Sequence, residues 1–236
     1  MQTRYRLAAF CIFLFLAAQT FQELAYRFWI PASHGLADEL LAYLLPIDEI
    51  RSLLIMGTIV VLIVPFAVIA LRYRNRAPLA SLLGIVFGAA FIGFEISHRS
   101  IDFFVIGQQW AREFASAPAP GRDLILQRYA LWNEIATGWF FPLRLSYLLA
   151  SCAFAVAAWT DRHSGRWYYL APIAYGLNAL RLLGRTLSTF AGQHWLDGLN
   201  DKLYFPIVFV INTLVLIWFL VLAKEEGVAD EGSGSI

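Results

Sequence analysis

Apolar runs of about 20 residues or more recur along the chain and are separated by short polar segments. A transmembrane helix needs about 20 mostly apolar residues to cross the hydrocarbon layer. The pattern therefore predicts an all-α, polytopic membrane protein whose six transmembrane helices form one domain and one bundle, 1–223. The predicted spans are about 5–27, 50–72, 78–106, 129–159, 167–190 and 202–223.

The connecting segments complete this picture. The N-terminal run begins like a signal peptide, but its apolar character continues to Trp29, so we expect a membrane span there. Segment 108–128 contains Pro118, Pro120 and Gly121, which predicts an exposed loop. The acidic segment 224–236 is rich in small residues and predicts a disordered cytoplasmic tail.

The loops on one side of the predicted bundle carry most of the unbalanced positive charge. In short loops, lysine and arginine are enriched on the cytoplasmic side. Both termini are therefore predicted to be cytoplasmic, in a multi-pass protein of a cell membrane, with the bacterial inner membrane favoured. The positive residues on this side are Arg4, Arg6, Arg72, Arg74, Arg76, Arg162, Arg166 and Lys224.

Composition supports the membrane class and excludes another. The chain of 236 residues is 59% hydrophobic and 15% charged, whereas soluble domains are about 45–50% apolar and about 25% charged. The lipid bilayer is therefore the predicted partner. The net charge of +1 and the lack of a basic run argue against a nucleic-acid partner. Cys11 and Cys152 lie inside apolar runs and are interpreted as packing residues.

The third predicted span changes character along its length. Its first half contains Gly84 and Gly88, a pair of small residues one turn apart that would let another helix approach closely. It ends with charged residues, including Glu95 and Arg99 at the spacing that favours a salt bridge within a helix. Charged groups inside a bilayer are costly and usually face the interior of the bundle. We therefore expect polar groups on other spans at the same depth.

The fifth predicted span supplies such a polar face. Asn178, Arg181 and Arg185 share it, and two arginines one turn apart repel each other unless an anion lies between them. The planar guanidinium group binds a carboxylate or a phosphate through two parallel hydrogen bonds. The anion could belong to a ligand or to the protein, where the candidates are Glu95, Asp102 and Glu134.

Polar residues on five of the predicted spans fall in the same layer of the membrane. This coincidence predicts a polar cavity that faces the extracytoplasmic side. The candidate ligand-binding residues are Glu95, Arg99, Asp102, Glu134, Arg144, Asn178, Arg181, Arg185 and Asn212.

A metal site is an alternative use of some of these residues. Glu95 and His98 form one E-x-x-H step, of the kind that di-iron carboxylate bundles use twice. Asp102, Glu134 and His194 could complete a ligand shell for zinc or iron. Because only one such step is present, the sequence assigns no metal firmly, and the cofactor is unknown at this point.

Three functions stay open at this point. The first is binding or transport of a small anionic or amphipathic ligand by the arginines of the cavity. The second is an intramembrane enzyme that modifies a lipid, with the carboxylates and His98 as acid–base or metal-binding groups. The third is a non-catalytic subunit of a larger membrane assembly, in which the ion pairs are structural.

Overall fold

A computed structural model describes residues 2–193 and 197–233, and this part of the chain is all-α. The helices are α1 (Gln2–Leu24), α2 (Leu36–Ala42), α3 (Pro46–Val61), α4 (Ile63–Tyr73), α5 (Pro78–Ser100), α6 (Arg112–Ser116), α7 (Ala119–Trp159), α8 (Leu170–Phe190) and α9 (Asp197–Ser233). Wider π-helical segments continue α1 and α5, at Ala25–Trp29 and Ile101–Ala111. Two short 3-10 turns connect α7 to α8.

Within the described residues, five helical segments are long and apolar enough to cross a membrane. They are Thr3–Trp29, Pro46–Tyr73, Pro78–Ser116, Ala119–Trp159 and Lys202–Glu226. Each contains most of one predicted span, so the chain is a multi-span helical membrane protein. The other predicted span, 167–190, corresponds to α8, a helix of 21 residues that is less apolar because of its asparagine and two arginines.

The predicted loop at 108–128 is wrong. Helical structure continues to Ser116, and α7 begins at Ala119, so the connection is only two residues long. Pro120 lies in the first turn of α7, where a missing backbone N–H costs nothing because no carbonyl precedes it in the helix. The proline and glycine residues therefore mark the start of a helix rather than a loop.

A proline also explains the division of the second span. The span changes from α3 to α4 at Leu62. Pro65 has no N–H to donate to the carbonyl of Val61, so the ladder of helical hydrogen bonds is interrupted there. In the last segment, α9 continues to Ser233, and disorder of the predicted tail 224–236 stays a prediction.

The helices form a closed ring in which neighbours in sequence are neighbours in space. The order around the ring is α1, α3 with α4, α5, α7, α8 and α9, and α9 packs against α1 to close it. Aromatic and aliphatic side chains from all these helices form a continuous core. The ring leaves an interior in which groups from every long helix can meet.

The predicted close approach at Gly84 and Gly88 is confirmed. A Cβ atom at Gly84 would overlap the ring of Phe154 on α7, and one at Gly88 would lie 2.7 Å from Cδ2 of Phe66 on α4. Both glycines therefore let bulky rings pack directly on the backbone of α5. The two rings also contact each other, with centroids 5.5 Å apart.

Candidate functional site

A cavity of about 280 Å³ lies inside the ring and is lined by residues of α1, α3, α5, α7, α8 and α9. Seven of the nine predicted ligand-binding residues line it. They are Glu95, Arg99, Arg144, Asn178, Arg181, Arg185 and Asn212. The structure thus brings together residues that lie more than 100 positions apart in sequence, while their role in binding stays a prediction.

One ion pair lies inside the cavity. Nε of Arg99 donates a hydrogen bond of 2.9 Å to Oε1 of Glu95, one turn earlier on α5. This is the predicted pairing at i,i+4, and Glu95 is buried. Glu95 was one of the carboxylates predicted to pair with the arginines of α8. It pairs instead with Arg99, an arginine of its own helix.

The other three arginines of the cavity contact neutral groups. Arg181 donates two hydrogen bonds, of 3.2 and 3.0 Å, to the amide oxygen of Asn178. Nη1 of Arg144 donates to the hydroxyl of Thr189 at 2.7 Å and to the carbonyl of Arg185 at 3.3 Å. These contacts hold the guanidinium groups in place without neutralising their charge.

An aromatic ring lies beside two of these arginines. The guanidinium carbons of Arg181 and Arg185 are 5.5 and 4.8 Å from the ring centroid of Tyr204 on α9. A ring face attracts a cation, and the attraction is stronger where water is excluded. Tyr204, on the neighbouring helix α9, thus contacts the guanidinium groups of both arginines.

The charges of the described residues in the cavity are unbalanced. Among the described residues, four arginines and one glutamate line it, and no described carboxylate forms a salt bridge with Arg144, Arg181 or Arg185. All three side chains are half-buried. Charges at this depth are usually paired, since an uncompensated charge is expensive away from bulk water. An anion placed among the three arginines would restore the balance.

A chain of hydrogen bonds fixes the position of Asn178. Its amide nitrogen donates to the hydroxyl of Ser151 on α7 at 2.8 Å, and Ser151 donates to the carbonyl of Tyr147 at 2.7 Å. Asn178 and Ser151 are both fully enclosed, at 2% and 0% exposure. The acceptor that orients Arg181 is therefore set by the packing of α7 against α8, so the guanidinium group is positioned before any ligand arrives.

Two predicted residues lie away from the cavity. Glu134 is exposed on α7 and does not line it, because ten residues of helix separate it from Arg144 and turn it to another face. Asp102 lies about 10 Å further along the α5 direction than Glu95, beyond the end of the cavity. It accepts a hydrogen bond of 3.1 Å from Nε1 of Trp132 and lies 3.2 Å from Nδ1 of His98.

The residues of the metal hypothesis are divided between two pairs. Glu95 contacts Arg99, whereas His98 contacts Asp102 and packs against the ring of Phe140 at 4.9 Å. Among the described side chains, no three His, Cys, Asp or Glu residues are grouped closely enough to hold a metal ion. His194 lies outside the described residues.

Two tyrosines that line the cavity were not among the residues predicted from the sequence. Tyr147 and Tyr204 both line it, and Tyr204 contacts two of its arginines. Tyr147 lies one turn after Arg144, so the helical period could have indicated it. Tyr204 lies close to the start of a span, where tyrosine is common for reasons unrelated to a ligand.

A second charged cluster lies at the other end of the helices, and we call it the Asp161 junction. Asp161 follows α7, is 1% exposed, and accepts hydrogen bonds of 3.0 and 2.6 Å from Arg72 at the end of α4. Arg76 also contacts this carboxylate. Arg72 donates a further hydrogen bond to the hydroxyl of Tyr5 on α1 at 2.9 Å. The junction thus ties three helices together through one carboxylate.

Comparison with known proteins gives no relative from which a function could be inferred. No protein-family model matches the chain, and neither a curated protein nor a solved structure matches it significantly. The functional interpretation therefore depends on the geometry of the cavity.

Proposed function

We propose that the protein is a six-span membrane protein whose central cavity binds a small anionic ligand. In this arrangement α8 is the fifth span and both termini lie in the cytoplasm, as the charge bias of the loops favours. The cavity then belongs to the extracytoplasmic half of the bundle. A bacterial inner membrane is the proposed location.

One observation carries the proposal. Arg144, Arg181 and Arg185 line the same cavity without a salt bridge to any described carboxylate. Guanidinium groups bind carboxylate and phosphate oxygens through charge-assisted hydrogen bonds, which are about twice as strong as neutral ones. An oxyanion in the cavity would provide the negative charge that these three arginines lack among the described side chains.

Binding is the core of the proposal, and transport would be an extension of it. A transporter must expose its site alternately to the two sides of the membrane. Flux of a bound anion into proteoliposomes would establish this second step. Among the described side chains, no arrangement specifically favours the metal-dependent enzyme.

The proposal is tested by titrating the detergent-purified protein with inorganic phosphate and with succinate, by calorimetry. We expect saturable binding to the unaltered protein and its loss in Arg181→Gln, which keeps a polar side chain but removes its charge. Arg166→Gln is the matched control, because Arg166 is exposed on the turn before α8 and should leave binding unchanged.

Two outcomes would overturn the proposal. The first is the absence of anion binding to the unaltered protein, or binding that Arg181→Gln does not reduce. The second is zinc or iron at about one ion per chain in elemental analysis with native mass spectrometry. That second result would direct attention to the enzyme hypothesis and to His98.

A further inference from the structure

An apolar groove adjoins the cavity between α8 and α9. It has a volume of about 410 Å³ and shares Arg181, Arg185 and Tyr204 with the cavity. The remaining lining is almost entirely aliphatic and includes Leu177, Leu180, Leu203, Ile207 and Val210. The charged cavity and the apolar groove thus meet at Arg181 and Arg185.

The groove lies at the outer surface of the bundle. Leu180 on α8 is 66% exposed and Val210 on α9 is 48% exposed. In a membrane protein, exposed aliphatic side chains on a spanning helix face lipid tails. The groove is therefore an opening through which the arginines can be reached from the side, from within the bilayer.

The two spaces have different sizes and chemistry. The cavity, at about 280 Å³, is at the small end of the range for ligand sites and fits a headgroup better than a whole lipid. The excess positive charge of its described side chains favours an anion, whereas the aliphatic lining of the groove favours an apolar group. A molecule that satisfies both spaces is amphipathic.

The direction of the groove agrees with such a molecule. Arg185 and Arg181 lie about 8 and 13 Å along the helix from the end of α8, at Phe190. Because α8 and α9 are antiparallel, Leu177 and Val210 both lie further from that end than the arginines do. A headgroup held by the arginines would therefore have its tail directed along the groove towards the middle of the helices.

We propose that the cavity and the groove together bind one lipid, with its anionic headgroup at Arg181 and Arg185 and an acyl chain between α8 and α9. This inference depends on the proposed function, because it assigns a class of ligand to the same arginines. Moving an acyl chain from the bilayer into the groove gains little, since lipid tails are as apolar as leucine. The charge of the headgroup therefore determines the preference, and the groove gives the headgroup access to the arginines.

The test compares a lipid anion with a tail-less anion. The full-length protein is equilibrated with vesicles of equimolar phosphatidylglycerol and phosphatidylcholine and is then analysed by native mass spectrometry. We expect one retained phosphatidylglycerol per chain, at least about tenfold preferred, which corresponds to one charge-assisted hydrogen bond. Binding of inorganic phosphate is measured on the same samples.

Variants of the groove separate the two proposals. Val210→Trp should fill the groove and abolish the retained phosphatidylglycerol while leaving phosphate binding within about twofold of the unaltered protein. Leu220→Trp is the control, because Leu220 is exposed on the same helix outside the groove and should keep the lipid. If Val210→Trp does not fold, Leu180→Trp, on α8, provides the same test.

Each result has a definite meaning. Phosphate binding without a preference for phosphatidylglycerol, or lipid retention in the groove variants, would overturn the lipid inference and leave the anion site standing. If the unaltered protein binds neither phosphate nor phosphatidylglycerol, both the anion site and the lipid inference are overturned. Loss of the lipid alone in the groove variants supports both.

Discussion

The Asp161 junction and the cavity use the same residue type in opposite ways. At the junction, Arg72 and Arg76 share one buried carboxylate. In the cavity, three arginines contact an amide, a hydroxyl, a carbonyl and an aromatic ring. The first arrangement gives its arginines a shared carboxylate and joins helices, whereas the second positions its arginines without a salt bridge to any described carboxylate.

The difference shows that the role of an arginine inside a membrane protein depends on the group that it contacts. A buried ion pair is costly to break, because the remaining charge has no compensation. An arginine without a carboxylate contributes little to stability in the absence of a ligand, and its removal lowers the repulsion from its neighbours. Stability measurements can therefore distinguish the two regions.

The largest effect is expected at the junction. Asp161→Asn should lower the free energy of unfolding by about 3–5 kcal/mol, because it leaves Arg72 without a counter-charge at a site that is mostly enclosed. Reversible unfolding in mixed micelles of increasing denaturing-detergent content would measure it. Arg76→Gln is the control, since its side chain is 62% exposed and should change stability by no more than about 1 kcal/mol. Equal effects of the two variants would contradict the assignment.

The ion pair inside the cavity should behave like the junction, on a smaller scale. Glu95→Gln should destabilise the protein by about 1.5–3 kcal/mol, the contribution of a hydrogen bond to a charged group. The loss is smaller than at Asp161 because Arg99 is 27% exposed and keeps some access to water. The same unfolding assay applies, and an unchanged or raised stability would mean that Glu95 does not neutralise Arg99.

The helix packing between the two regions gives a prediction that involves no charge. Gly84 packs on Phe154, which lies between Asp161 and Arg144 along α7. Gly84→Ala should therefore cost about 1–3 kcal/mol through overpacking. Gly93→Ala is the control on the same helix, because nothing lies within 4 Å of the added Cβ atom, and it should be neutral or slightly stabilising. A neutral Gly84→Ala would show that the ring can move aside.

The smallest change in stability is expected for the arginines of the cavity. Arg181→Gln removes an uncompensated charge, which favours folding, and it also removes the hydrogen bonds to the amide oxygen of Asn178, which opposes folding. Because the two effects oppose each other, the free energy of unfolding should change by no more than about 1 kcal/mol when no anion is present. The same variant should lose anion binding. A loss of stability as large as that of Asp161→Asn would instead show that Arg181 has a structural counter-charge.

Much of the fold was predictable because it depends on properties of the sequence alone. The length of the apolar runs indicated the spans, and the helical period indicated the close approach at Gly84 and the pair of Glu95 with Arg99. The nine candidate residues were selected by their predicted depth, and seven of them line one cavity. These features can be predicted by counting residues along one helix.

The predictions that failed depended on the face of a helix, on the position along a helix, or on a residue that is common in two kinds of structure. Glu134 lies ten residues from Arg144 along α7 and on another face, near the level of Asp102, and Asp102 lies beyond the cavity. Pro120 marks either a loop or the start of a helix, and only the observed start of α7 decides between them. The groove between α8 and α9 depends on the separation of two helices, which no pattern in one helix contains.

Supplying the cavity with a carboxylate of its own tests directly whether its arginines bind an anion. Asn178→Asp would place a carboxylate where the amide oxygen now accepts hydrogen bonds from Arg181 at 3.2 and 3.0 Å. Thermal unfolding is followed at increasing concentrations of inorganic phosphate. We expect phosphate to raise the melting temperature of the unaltered protein and to have no effect on Asn178→Asp. The baseline of the variant also reflects the lost hydrogen bond from the amide nitrogen of Asn178 to Ser151, so the response to phosphate is the deciding quantity. An unaltered protein that ignores phosphate, or a variant that still responds to it, would contradict the binding of an anion by these arginines.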